Sequence, residues 1–257
     1  MSARGADSVA EMNARRETWR PAPSNLRLCG DEVHVWRARL DCDASTLEVL
    51  RAALSEEESG RATRFRFERD RARFAAARGL LRDILSRYLQ RPASLIQFTY
   101  NEYGRPELSG DESGLRFNVS HSGGAALYAC ARGHAVGVDV ELLRDDFASV
   151  EVAGRFFSAA EIRDLGSLPP HLLTRGFFNC WTRKEAYIKA LGEGLSHPLD
   201  CFSVSLSPGK PARLLNTDRD PSEAAAWSIL DVQPFEGYAA ALAVRNSSPR
   251  LSFWDWR

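Results

Sequence analysis

From residue 33 to residue 40 apolar and polar side chains alternate, which predicts a strand with one buried face. The spacing then changes. Residues 47–54 predict a short helix capped by Ser45 or Thr46, and Ser55 with Glu58 three residues on forms a capping box that opens a second helical run. Between 65 and 89, Phe67, Phe74, Leu80, Leu81, Ile84 and Leu85 recur at helical spacing among arginines, the mark of a long amphipathic helix with its aromatic rings on the core face. Residues 96–100, 115–119, 126–132 and 136–141 predict short strands, with a turn over 101–105. The order then repeats, with helices over 156–165 and 175–191 and strands over 202–206, 225–232 and 238–244.

This recurrence predicts an α+β fold of two pseudo-symmetric lobes, each a small antiparallel sheet packed with a long helix. The expected boundaries are a disordered tail over 1–24, closed by Pro21 and Pro23, lobes over 25–134 and 135–247, and a second tail over 248–257. A chain of 257 residues with 44% hydrophobic content can bury a proper core. No apolar run approaches the roughly 20 residues of a membrane span, and the polar start lacks the apolar centre of a secretory signal. Five widely spaced cysteines without a C-x-x-C pair argue against a disulfide framework or a zinc site and for a reducing cytoplasm. Zero net charge implies no general attraction to nucleic acid. Of 34 basic residues only Lys184, Lys189 and Lys210 are lysines, so two in one predicted helix stand out.

That helix carries Trp181, Glu185 and Lys189 four residues apart, on one face. The 136–141 strand places Asp139 and Glu141 on one face and Val138 and Val140 on the other. Three carboxylates and a lysine converging on one point would hold a hard cation and, through it, a phosphate ester. Each piece alone also has an ordinary structural use, as a solvated helix ion pair or a half-buried strand. Gly104-Arg105-Pro106 presents an arginine in a rigid turn. Asn118-Val-Ser120-His121-Ser122-Gly123-Gly124 ends a strand in groups able to hydrogen-bond an anion. A nucleophilic serine is disfavoured, because Ser120 and His121 are neighbours whose side chains diverge on a strand and no G-x-S-x-G elbow exists. Cys180 reads as a small buried thiol, and the arginines of 61–82 as a solvated helix face.

Five segments occur together in order and spacing: Gly104-Arg105-Pro106, Phe117 to Ser122, Val136 to Glu141, Phe156-Phe157-Ser158 with Glu161, and Trp181 through Lys184-Glu185-Ala186 to Lys189. In this the chain, over about residues 33–244, resembles the Sfp-type 4′-phosphopantetheinyl transferases, in the branch with tryptophan and Lys-Glu-Ala. The resemblance implies a pseudo-dimeric fold and transfer of the phosphopantetheine arm of coenzyme A to a serine of an apo acyl or peptidyl carrier protein, with release of adenosine 3′,5′-bisphosphate. It implies that Asp139, Glu141 and Glu185 hold Mg²⁺ and that Lys189 meets the pyrophosphate. It also implies that Arg73, Arg105, Ser120 and His121 grip the 3′-phosphate and adenosine side of coenzyme A, and that Arg61 makes a further phosphate contact. Glu185 is a metal ligand, the base that takes the serine proton, or both through a metal-bound water, and Trp181 is a packing residue. Glu58 departs from relatives that carry a basic residue there. The expectation is a cytoplasmic monomer that binds neither nucleic acid nor membrane. A catalytically silent coenzyme A or nucleotide module on the same scaffold and an arginine-rich nucleic-acid binder are the other readings.

Overall fold

A computed structural model describes residues 18–110, 113–217 and 222–256. The chain opens with a short strand β1 (Arg20–Pro21) and the long strand β2 (Glu32–Arg39), followed by helices α1 (Ala44–Ala52), α2 (Glu56–Thr63) and α3 (Glu68–Leu89). A small hairpin, β3 (Phe98–Tyr100) and β4 (Pro106–Leu108), leads to β5 (Leu115–Ser122), β6 (Ala125–Arg132) and β7 (Val136–Leu142). Helices α4 (Val150–Phe156), α5 (Ala159–Gly166) and α6 (Leu173–Leu191) follow, then β8 (Ser203–Val204), β9 (Leu214–Asn216), the single-turn α7 (Glu223–Ala226), β10 (Ser228–Val232), β11 (Tyr238–Val244) and β12 (Arg250–Asp255).

Two sheets make the centre. One has the order β1-β12-β2-β6-β5 and the other β10-β11-β7. Their facing sides are apolar: Val33, Val35, Leu127 and Ala129 of the first meet Val136, Val138, Val140, Leu230 and Leu242 of the second. Alternation then sends the other face of each sheet to a helix. Trp36, Tyr128 and Cys130 bury against Leu80, Leu81, Ile84 and Leu85 of α3, and Ala239, Ala241 and Ile229 against Phe177, Cys180, Tyr187 and Ile188 of α6. The layers therefore run α3, sheet, sheet, α6, so the inner strands β6 and β11 are buried on both faces and read as apolar. Each fully buried Leu, Ile or Phe in them contributes roughly 1.5–3 kcal/mol.

Several sequence expectations change in detail. Within the expected first tail Arg20 and Pro21 form β1 and run parallel to Trp254 and Asp255, while residues 1–17 lie outside the described residues. The second tail is β12, which lies between β1 and β2 and pairs in parallel with β2 from Arg250↔Glu32 to Asp255↔Arg37. It belongs there because Trp254 is buried beside Trp36 and the Arg37 guanidinium donates to Asp255 Oδ1 at 3.0 Å. The first sheet is thus mixed rather than purely antiparallel. Asp43, not Ser45 or Thr46, caps α1 by accepting from the Thr46 amide. Helix α3 starts at Glu68, leaving Phe65 and Phe67 on the surface at 39% and 60% exposure rather than in the core. The run expected as one helix over 156–165 breaks at Phe157, because Ser158 opens α5 with its own capping box to Glu161.

Candidate functional site

Strand β7 runs beside β5, yet the two are not joined as an ordinary ladder. The amides of Val138, Val140 and Leu142 point at β5, where each is accepted by a side chain: Asn118 Oδ1 at 2.9 Å, Ser120 Oγ at 3.3 Å and Ser122 Oγ at 3.2 Å. The intervening residues Asp139 and Glu141 face α6. The helix can approach because the strand is narrow there. A Cβ on Gly137 would stand 2.1 Å from the Ala186 carbonyl oxygen and 2.4 Å from the Ala190 nitrogen, and the β11 partners of Asp139 and Glu141 are Ala241 and Ala239. On α6 the half-buried positions Trp181, Glu185 and Lys189 lie among buried neighbours, the one face predicted from their spacing.

Lys189 Nζ donates to Asp139 Oδ1 at 2.6 Å and to Ser120 Oγ at 3.0 Å, and Ser120 itself donates to Asp139 Oδ1 at 2.8 Å. The other oxygen, Asp139 Oδ2, is buried without a hydrogen-bond partner. Burial pushes the Glu185 carboxyl up to about 7, helped by the charges of Asp139 and Glu141 and opposed by Lys189. Glu141 is also raised, by burial and then by Asp139, against a hydrogen bond from Ser122. Among the described residues no three Asp, Glu, His or Cys side chains converge as a ligand cage. Asp139 and Glu141 meet separate donors instead: Asp139 accepts from Lys189 and Ser120, and Glu141 accepts from Ser122. His121 turns to the opposite side of β5 from Ser120 and has an exposed face. Loss of solvation at the strand end and then the Lys189 charge hold its imidazole below the ordinary value.

The arginines are spread more widely. Arg105 reaches the C-terminal end of α6, where it donates to the Lys189 carbonyl at 3.0 Å and to that of Phe117 at 3.3 Å. It lines a cleft with Tyr103, Phe117, Lys189 and Gly192. Arg73 is clamped to Asp41 by two hydrogen bonds of 2.7 Å, beside Gly124 in the turn that follows Ser122. Arg61 is exposed on α2 with its guanidinium 5.8 Å from the centre of the Phe74 ring; no contact brings it to Asp139. Glu58 is buried, closes the capping box of α2 and accepts from Arg78 and Arg82. Trp181 packs edge-on to Phe156 and Phe147 and stacks on Phe177. Cys180 is fully buried.

Two family profiles match this chain in tandem: "4′-phosphopantetheinyl transferase, N-terminal" over residues 40–132 and "4′-phosphopantetheinyl transferase superfamily" over 135–243. The 4′-phosphopantetheinyl transferase HetI of Nostoc sp. (strain PCC 7120) is 42% identical over 244 residues, which cover 94% of this chain and 99% of HetI. The chain belongs to the 4′-phosphopantetheinyl transferase family. Sfp of Bacillus subtilis (strain 168) is 37% identical over 159 residues, 62% of this chain and 69% of Sfp. The transferase gsp of Aneurinibacillus migulanus is 29% identical over 208 residues, 81% of this chain and 83% of its own. The protein is accordingly an enzyme of phosphopantetheinyl transfer.

Within this transferase the sequence reading missed the contacts of four residues around the site, of which Asn118 and Ser122 read only as part of an anion-binding strand end. Asn118 and Ser122 form two rungs of the β5–β7 seam, and their signal was polar residues at 118, 120 and 122 along one strand. Lys184, read only as part of a motif, is fully buried and donates to Glu161 Oε2 at 2.8 Å and to the carbonyls of Leu199 and Phe202 at 2.7 and 2.6 Å. Asp41 carried no signal, since its partner Arg73 lies 32 residues away.

Proposed function

We propose that this transferase moves the 4′-phosphopantetheine arm of coenzyme A to a serine hydroxyl of an apo acyl or peptidyl carrier protein, releasing adenosine 3′,5′-bisphosphate. The observation that carries the reading is the buried carboxylate group around Asp139, whose Oδ2 is unpartnered while the neighbouring Glu185 is raised to about 7. Such a site holds more negative charge than Lys189 offsets, in an all-oxygen donor set that suits a hard divalent ion. Asp139, Glu141 and Glu185 would hold Mg²⁺, which when bound neutralises charge on the pyrophosphate.

The chain's own groups supply the rest. Lys189, already beside Asp139, gives a second positive charge to the phosphate being cut. Arg105 and His121 are assigned to receive the coenzyme, Arg73 to its outer phosphate after exchange from Asp41, and Arg61 to an extension of the basic surface. Ser120 is assigned to orient Asp139 as well as to the coenzyme. The two halves, 25–134 and 135–247, are assigned as lobes that share the site in a monomer. All five thiols are free, which supports a cytoplasmic enzyme; no helix among the described residues is long and apolar enough to cross a membrane.

The test is incubation with coenzyme A, Mg²⁺ and a panel of apo carrier proteins, read by the mass gain of the arm. The wild type should modify at least one carrier, and Asp139→Ala and Glu185→Ala should lose transfer while keeping their fold. Full activity in either variant would overturn the assignment.

A further inference from the structure

Ser122 repeats, two residues on, what Ser120 does. Ser120 Oγ receives the Val140 amide and the Lys189 ammonium, so its single proton is left for Asp139 Oδ1. Ser122 Oγ receives the Leu142 amide at 3.2 Å, and its single proton goes to Glu141 Oε2 at 2.6 Å. An ionised carboxylate can only accept, so each serine gives its one proton to the acid while a lone pair takes the amide. The backbone of β7 thereby sets the direction of two hydroxyls on β5, and each hydroxyl occupies one oxygen of an acid on β7. The oxygens left over are Asp139 Oδ2 and Glu141 Oε1.

From this arrangement we infer that Ser122 is a positioning residue for metal binding: it ties down Glu141 Oε2 and so presents Oε1 to the cation, as Ser120 does for Asp139 Oδ2. The inference rests on the reading that Asp139 and Glu141 hold a divalent ion. A hydrogen-bonded partner that orients a ligating carboxylate typically changes metal affinity by about 10–100-fold. Asn118 supplies an internal control. It accepts the Val138 amide at 2.9 Å, as the serines do for theirs, but has no carboxylate to orient. Damage to the seam alone is thus separable from damage to the ligand.

The experiment is Mn²⁺ binding to the full chain without coenzyme A, followed by electron paramagnetic resonance of the free ion, with the melting temperature recorded with and without Mn²⁺. Ser122→Ala should weaken Mn²⁺ by about tenfold or more and reduce the Mn²⁺-induced rise in melting temperature. Ser122→Thr, which keeps the hydroxyl, should restore most of it. Asn118→Ala should lower the metal-free melting temperature but bind Mn²⁺ within about twofold of wild type, well inside the change expected for a ligand-orienting partner. Equal Mn²⁺ affinity in Ser122→Ala and wild type would overturn the role of Ser122 while leaving the metal reading intact. A wild type that binds no Mn²⁺ would overturn both.

Discussion

Lys184 and Glu161 form an ion pair with both side chains closed to solvent, 0% and 1% exposed. Every donor of the ammonium is used, on Glu161 and two carbonyls, and Glu161 in turn accepts from the Ser158 and Val204 amides. The pair locks α6 to α5 and to the segment before β8, one position along the helix from Glu185. Removing one member of such a pair leaves a buried charge uncompensated, a cost of about 3–5 kcal/mol. Lys184→Met should therefore unfold far more readily than wild type in urea. Adding Glu161→Gln should recover part of the loss, and additive destabilisation by the two changes would refute the coupling.

Gly137 is where α6 lies closest to β7. A methyl there would overlap the backbone of Ala186 and Ala190, and helix backbone cannot step aside as a long side chain can. Gly137→Ala should cost about 1–3 kcal/mol or more and depress transfer beyond what the stability loss explains, since Glu185 and Lys189 ride on the displaced helix. Wild-type melting and activity together would show that the helix has slack.

The raised Glu185 carboxyl makes stability depend on pH with a definite sign. The unfolded side chain ionises near 4.5, whereas the folded one does so near 7, so between those values the folded state holds more protons and loses stability as pH rises. The full difference above pH 7 is roughly 3 kcal/mol without divalent cation. His34, buried and lowered from 6.5 to about 4, acts in the opposite sense: the unfolded state binds the extra proton, and stability is lost as pH falls. Comparison with Glu185→Gln isolates the first effect. Without metal, wild type should become less stable relative to that variant from pH 4.5 to 7, and Mg²⁺ should close the gap. A pH-independent gap would contradict the assignment.

Strand β12 sits inside a sheet, so its removal exposes the edge of β2 and the Trp36 region. Deleting residues 250–257 should leave the protein insoluble or without a cooperative melting transition. A soluble truncated chain melting within a few degrees of the full one would disprove the structural role.

What was legible in the sequence were features with short-range causes. The shared face of Trp181, Glu185 and Lys189 follows from helical period, the Ser55 to Glu58 cap from a three-residue offset, and the outward pair Asp139 and Glu141 from strand alternation. Features whose partners lie far along the chain were not legible. Trp254 meets Trp36 across more than two hundred positions, so the final strand looked like a tail. Phe67 fits a helical period but precedes the helix by one residue, which puts it outside the core. Arg105 and the polar β5 positions stood out in local motifs, but their partners, like that of Asp41, lie in distant segments that no local pattern encodes. The shared face of Asp139 and Glu141 follows from strand alternation, but the donor that each one meets is set by β5 and α6.

The place of β12 also bears on the order of events during synthesis. The strand that completes the first sheet is made after every residue of the second, so β2, at the centre of the first sheet, must wait with an open edge from Arg39 until Arg250 is made. Helix α3 can form against β2 and β6 early, but the two sheets with their helices cannot mature one after the other as independent units. Closure of the molecule is thus a late and long-range event, slow by the loop entropy it must overcome, and the nascent first half is the species most in need of protection from aggregation.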